Sequence, residues 1–251
     1  MPSIHRAARV GFDAGAEAYE RGRPGFPPDA VERLAKELAI ARGKRVLDLA
    51  AGTGKLTRSL VPFGASLLAV EPVEGMWRAF RERLPGVPLV AGLAEALPFR
   101  TGALDAVTVA QAFHWFDAEH ALAELHRVLA SGGRLGLVWN VRDESTAVSA
   151  SMTQLFDTYR EGAPAFRDRA WEPAFAQTDL FSPLERATFR LEQRLTVGGF
   201  LDRALSVSFI AALPPDELDS VRAELVALVP PGATEVVLPY RCEVSWCERS
   251  A

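Results

Sequence analysis

Cysteine is almost missing from this chain. Cys242 and Cys247 are the only two, which is neither a disulfide framework nor a metal-ligand set, so a reducing cytoplasm is the expected setting. Long apolar runs are missing too: nothing approaches the roughly 18 residues that span a bilayer, and the N-terminus lacks a long apolar stretch. A membrane partner is therefore not expected. Charge of one sign is also lacking, because the net charge is -4 with acids and bases interspersed. No basic face is prepared for a nucleic-acid backbone. What remains is 251 residues, enough to bury the core of one α/β domain with insertions.

The stretch from Lys44 to Leu60, KRVLDLAAGTGKLTRSL, organises the chain. Val46-Leu47-Asp48-Leu49 suits a strand buried on both faces of a parallel sheet. Ala50, Ala51, Gly52 and Gly54 follow, leaving little side chain in the way of a tight turn or a closely approaching ligand. Leu56, Leu60 and Val61 then recur at helical spacing, so strand, glycine turn and helix form a ligand cradle at the carboxyl end of a strand. A phosphate-binding P-loop is excluded, because Leu49 stands where it needs glycine and Leu56 where it needs Ser or Thr. A dinucleotide fingerprint is weakened by Thr57, which stands where Gly or Ala gives close helix packing. A cofactor with an amino-acid end is the third option. Asp48 would accept hydrogen bonds from its ammonium group or from a water. Ser66 to Val70 forms a second strand ending at Glu71, an acidic residue suited to gripping both hydroxyls of a ribose.

The whole run, VLDLAAGTG, LLAVEPVEGM, GLAEALPF, LDAVTVAQAFHWF and RVLASGGRLGLVWN, resembles the class I S-adenosylmethionine-dependent methyltransferases. It is most similar to their small-molecule branch, which includes trans-aconitate methyltransferase-like proteins. The resemblance spans roughly Phe12 to Asn140. It implies a doubly wound, mostly parallel seven-stranded sheet with helices on both faces, within one domain. An N-terminal helical lid would cover 1–40, a cofactor-binding core 41–141, and C-terminal strands with acceptor-covering helices 142–251. The family's N-terminal segment of form F-x6-Y-x3-RP covers the cofactor, and Phe12, Tyr19, Arg23 and Pro24 stand at that spacing. Cofactor contacts are implied for Tyr19, Arg23, Asp48, Ala50, Gly52, Thr53 and Gly54 at one end. Toward the adenosine they are implied for Glu71, Pro72, Met76, Ala94 and Glu95, and beyond the fourth strand for Ala110, Gln111, His114 and Trp115. Met76 is equally suited to filling core, and Glu95 to complementing a helix dipole.

Further elements follow from periodicity. Helices are expected from Asp29, over Pro72 to Leu84, over Glu119 to Leu129, over 145–161, over Gly198 to Leu213 and over Pro215 to Val229. Further strands are expected at Val87 to Ala91, Leu104 to Ala110, Arg134 to Val141, 182–195 and Glu235 to Trp246. Ser131-Gly132-Gly133 reads as the left-handed turn ending the helix over Glu119 to Leu129. Gln111-Ala112-Phe113-His114-Trp115-Phe116 overlooks the ligand crevice by the switch-point rule. Trp115 and Phe116 can shelter a sulfonium, and His114 can remove an acceptor's proton near neutral pH. Phe200, Phe209, Trp171 and Phe175 can line the acceptor cover or fill core.

The expected activity is in-line methyl transfer from S-adenosylmethionine to a small carboxylate, phenol or amine, catalysed chiefly by positioning. No metal is implied. Two rivals share the fold: an NAD(P)-dependent oxidoreductase favoured by Glu71, and a cofactor-binding protein without turnover.

Overall fold

A computed structural model describes residues 19–160, 164 and 166–251. Phe12 and most of the helix expected near the N-terminus lie outside the described residues. The sheet has seven strands: β1 (Arg45–Leu49), β2 (Ser66–Val70), β3 (Leu89–Val90), β4 (Leu104–Ala110), β5 (Leu129–Arg142), β6 (Glu185–Thr196) and β7 (Glu235–Glu248). Their spatial order is β3-β2-β1-β4-β5-β7-β6. Neighbours from β3 to β5 pair in parallel, whereas β7 runs antiparallel to both β5 and β6. The result is a mixed sheet of Rossmann-like arrangement, with its chain reversal between β1 and β4, where ligands of open α/β sheets bind.

Alternation along the strands divides the core. On one face Val46, Ala106 and Val138 join Cys242, Val244 and Trp246 beneath helices α1 (Pro28–Glu37) and α2 (Lys55–Leu60). On the other, Leu47, Leu49, Val107, Val109, Leu135, Leu137 and Trp139 pack under α4 (Ala118–Val128). Helix α3 (Glu74–Arg83) lies beyond β2. The two cysteines are free, lie in opposite cores and cannot meet; burial pushes both thiols up to about 12. A third apolar cluster belongs to the C-terminal cover. It joins α5 (Ala147–Tyr159), α7 (Val197–Leu205), α8 (Ser208–Ala211) and α9 (Pro215–Ala227) to the ends of β6 and β7. A short helix, α6 (Glu172–Ala176), carries Phe175 into the α4-side core. No helix among the described residues is long and apolar enough to cross a membrane.

Three expectations are corrected. Ser131-Gly132-Gly133 does not cap α4: the helix ends at Val128, and Leu129 is already extended. Gly132, at φ +70°, instead lies in an irregular start of β5. There the register jumps from Leu104 opposite Leu129 to Ala106 opposite Arg134. The third strand is shorter than Val87 to Ala91, with only Leu89 and Val90 paired, since Pro88 has no N–H to contribute. The helix expected over Gly198 to Leu213 is two, because the chain is extended at Val207. The Ser206 hydroxyl bonds back to the Arg203 carbonyl at 2.8 Å, offering the backbone a local alternative to the helix.

Candidate active site

The loop after β1 turns through two left-handed glycines, Gly52 (φ +57°) and Gly54 (φ +84°). A Cβ at Gly54 would come within 2.9 Å of the Phe80 ring, so α3 packs directly against the loop. Ala50 (φ +54°) and Gln111 (φ +61°) take the same conformation with a side chain attached, at a cost of roughly 1 kcal/mol or more each. They sit past the carboxyl ends of the adjacent strands β1 and β4, where such strain marks a ligand-binding edge.

Asp48 and Glu71 lie under this loop. Asp48 is fully buried, and its oxygens accept from the Thr57 hydroxyl at 2.5 Å and the Thr108 hydroxyl at 2.9 Å. Burial raises its pKa to about 6, against the pull of those hydroxyls. The sequence suggested an ammonium or water as its partner; the structure supplies two threonines instead. Thr57 is thus the residue that fastens the strand tip. Glu71 accepts from the Gly52 N–H and from the Val73 N–H, both at 2.8 Å. Burial, with a smaller contribution from Asp48, lifts it to about 7. Each Glu71 oxygen keeps a lone pair beyond these bonds.

Above the loop, the N-terminal segment is latched by Glu20, which sequence inspection passed over. Its carboxylate accepts from Thr53 (2.5 Å) and Arg58 (2.9 Å), and Lys55 bonds its carbonyl at 2.8 Å. A narrow cavity of about 40 Å³ remains between loop and segment, lined by Tyr19, Arg23, Ala50, Gly52, Thr53, Ala110 and Gln111 among others. It adjoins a second cavity of about 520 Å³ beneath the C-terminal cover, and Tyr19, Arg23, Gln111, Asn140 and Arg203 line both. The larger space has the dimensions of a small-molecule site.

His114 and Trp115 line this larger cavity beside Trp139, Phe156 and Phe209. Burial, then the charges of Arg23 and Arg160, lowers the His114 pKa to about 3. Trp139 stands 3.3 Å away and donates its indole N–H to Nδ1, leaving Nε2 to carry the imidazole's single proton. With Nδ1 facing the Trp139 donor, the ring presents Nε2 as a hydrogen-bond donor, where the sequence suggested a base near neutral pH. Phe116 turns from the cavity to pack against Phe113 at 5.3 Å.

Several other sequence candidates line neither cavity. Asp48 lies within β1, Gly54 in the loop after it, Glu71 and Pro72 just past β2, Met76 in α3, and Ala94 and Glu95 in the segment before β4. Met76 is buried with Val73 and Ala79 against Tyr19. Glu95 accepts the Asp117 N–H at 2.9 Å, at the start of α4. Of the aromatic cover residues, Phe209 reaches the larger cavity, while Phe200, Trp171 and Phe175 are core. Arg142, Arg203 and Asn140 were not singled out from sequence, yet each lines the larger space.

Residues 47–137 match the family model described as a methyltransferase domain. An uncharacterised methyltransferase of Mycobacterium tuberculosis strain H37Rv is 38% identical over 256 residues, covering 100% of this chain and 99% of that protein. Demethylmenaquinone methyltransferase of Thermus thermophilus is 44% identical over 112 residues, 41% of this chain and 50% of that protein. Among solved structures, phosphoethanolamine N-methyltransferase 2 of Haemonchus contortus superposes with a TM-score of 0.60 at 16% identity. It covers 100% of this chain and 61% of that one, and its structure holds phosphomonomethylethanolamine and S-adenosylhomocysteine.

Proposed function

The chain belongs to the methyltransferases and is an enzyme of that family; from this premise we propose that it moves the methyl group of S-adenosylmethionine onto a small organic acceptor held in the 520 Å³ cavity. The oxidoreductase and turnover-free readings give way to that membership. The assignment to the small-molecule branch near the trans-aconitate methyltransferase-like proteins rests on Tyr19, Arg23, Pro24 and the loop after β4.

The observation that carries the proposal is the pair of adjoining cavities, with orphaned polar atoms on residues that line both. Arg23 Nε and Asn140 Oδ1 are buried with no partner among the described residues. They match a carboxylate and an ammonium, the two ends of an amino acid, and Glu71 keeps acceptor capacity for a ribose. S-adenosylmethionine, when bound, supplies an electrophilic methyl group on a sulfonium. The chain's own residues do the rest. Ala50 and Gly52 bring backbone close, Trp115 and Trp139 keep water from the reacting end, and the cover holds the acceptor. Such positioning is worth up to roughly 7–11 kcal/mol of barrier. His114 offers its Nε2 proton as a hydrogen bond that orients the acceptor.

Calorimetry with S-adenosylmethionine and S-adenosylhomocysteine tests the cofactor. Micromolar binding of both is expected, and failure of either to bind removes the assignment. A screen of small carboxylates, phenols and amines for homocysteine-nucleoside release then tests turnover.

A further inference from the structure

The larger cavity is unusually rich in cations: six arginines line it against three carboxylates. Two arginines at its rim are neutralised, Arg167 by Asp157 and Arg160 by Asp168. Asp143, another lining carboxylate, is turned to the Ser145 N–H at 2.9 Å, and Glu144 is exposed. Arg23, Arg142 and Arg203 are different. None of them forms an ion pair among the described residues, and each keeps a buried guanidinium nitrogen without a partner: Nε of Arg23, Nε of Arg142 and Nη1 of Arg203.

The fold brings Arg142 and Arg203 together through one tyrosine. Arg142 at the end of β5 is the cross-strand partner of Tyr240 on β7, so their side chains share a face about 5 Å apart. Arg203, almost wholly buried, comes in from α7 and donates Nε to the Tyr240 hydroxyl at 2.9 Å. Arg142 is held in turn by Thr153, which accepts from Nη2 at 3.2 Å, and by the Phe156 ring 4.9 Å beneath its guanidinium. Both side chains are therefore fixed by neutral partners, in the wall of the cavity. Like charges gathered away from water, with donors left over, are destabilising unless something supplies the missing negative charge. The neighbours feel it: Arg23 is lowered to about 9 and Arg142 to about 10, by burial first and by Arg203 next.

S-adenosylmethionine does not balance this account. Its single carboxylate answers Arg23, and its sulfonium adds a positive charge to the same space. We propose that the methyl acceptor is an organic anion, its carboxylate or phosphate held by Arg142 and Arg203 while its apolar body lies against Phe156, Phe209 and Trp115. The inference rests on the cofactor reading above and narrows its acceptor. An amine, protonated at neutral pH, would meet a sulfonium and two unpaired guanidiniums, so the site rejects that class. Arg142 and Arg203 act as specificity residues, since planar guanidinium forks fit both carboxylate and phosphate oxygens.

The test measures binding of four probes that share one ring, phenylacetate, phenyl phosphate, phenylacetamide and benzylamine, by calorimetry. It uses the full chain both saturated with S-adenosylhomocysteine and without it. At least one anion is expected to bind ten or more times tighter than phenylacetamide, and benzylamine is expected not to bind. The comparison of the two anions tells a carboxylate acceptor from a phosphate one. Arg142→Gln should erase the anion's advantage with the melting temperature and S-adenosylhomocysteine affinity little changed, and Arg142→Lys should restore part of it. Equal binding of anion and amide, binding of benzylamine, absence of anion binding at millimolar concentration, or an unaffected Arg142→Gln would each overturn the proposal. Loss of S-adenosylhomocysteine binding alone would sink the cofactor reading and leave the anion arm of the test standing.

Discussion

The carboxylate of Glu71 accepts the N–H of Gly52 at 2.8 Å across 19 residues of chain, tying the tip of β2 to the glycine turn after β1. The second oxygen takes the Val73 N–H, so one side chain sets both the turn and the entry to α3. Glu71→Ala should weaken S-adenosylhomocysteine binding at least tenfold, and calorimetry reads this directly.

Glu71 also predicts a proton linkage. Its folded pKa is about 7, raised by burial. Hydroxyl donors on a ligand favour the ionised form and pull that value down. Cofactor affinity should therefore rise as pH climbs through 7 and fall below it, with proton release on binding near neutrality. Calorimetry in buffers of different ionisation enthalpy measures the released proton, and Glu71→Gln should abolish it.

Asp48 serves the sheet. Removing its carboxylate strands the buried Thr57 hydroxyl and leaves Thr108 only the Leu47 carbonyl at 3.4 Å, and an unsatisfied buried polar group costs about 1–3 kcal/mol. Asp48→Ala should lower the urea midpoint accordingly with the slope unchanged. Asp48→Asn can offer one acceptor and one donor to hydroxyls that play either part, so it should cost less than half as much.

His114 predicts a stability slope. The unfolded chain takes up this proton near 6.5, whereas the folded site does so only near 3. In that window the unfolded state binds more protons at this site, so the His114 contribution to stability falls as pH drops below 6.5, opposing Glu71 and Asp48, whose raised folded values add stability over the same range. The loss amounts to about 2 kcal/mol by pH 5, at roughly 1.4 kcal/mol per unit. His114→Asn keeps an acceptor for Trp139 and should remove this contribution, so that the stability difference between the two proteins moves by about 2 kcal/mol in favour of the variant between pH 7 and 5 in denaturant melts. The rate profile should show no limb from this histidine near neutrality.

Gly22 seats the N-terminal segment on the cover. A Cβ there would stand 2.7 Å from the Arg203 Cα and 2.9 Å from its backbone nitrogen. Its carbonyl accepts from Gln193 at 2.8 Å. Gly22→Ala should cost about 1–3 kcal/mol by overpacking and push Arg23 away from Arg203, weakening anion binding. Gly25→Ala, with nothing within 4 Å of the added atom, is the matched control and should be near neutral in thermal melts.

The first half of the chain was legible because its chemistry is local. The glycine turn, the acidic strand tips and the loop after β4 each sit within a few residues of the strand that positions them. What escaped depends on distant pairing. Arg142 matters because β7 places Tyr240 opposite it, and Arg203 because the chain leaves its helix at Ser206 and Val207. Neither lies within any motif. His114 was visible as a residue but not as an environment, since its burial and its bond from Trp139 are tertiary facts. Glu20 looked like one more acid in a helical pattern until Thr53, Lys55 and Arg58 converged on it.

The antiparallel strand β7 is hydrogen-bonded along both of its edges, to β5 on one side and β6 on the other. β6 is made some 40 residues earlier yet has no other neighbour in the sheet, so during synthesis it must wait, unpaired and open to misassociation, for the strand that will join it. The arginine pair around Tyr240 is assembled in that same late event. The proposed acceptor subsite therefore cannot form before β7, carrying Tyr240, has joined the sheet.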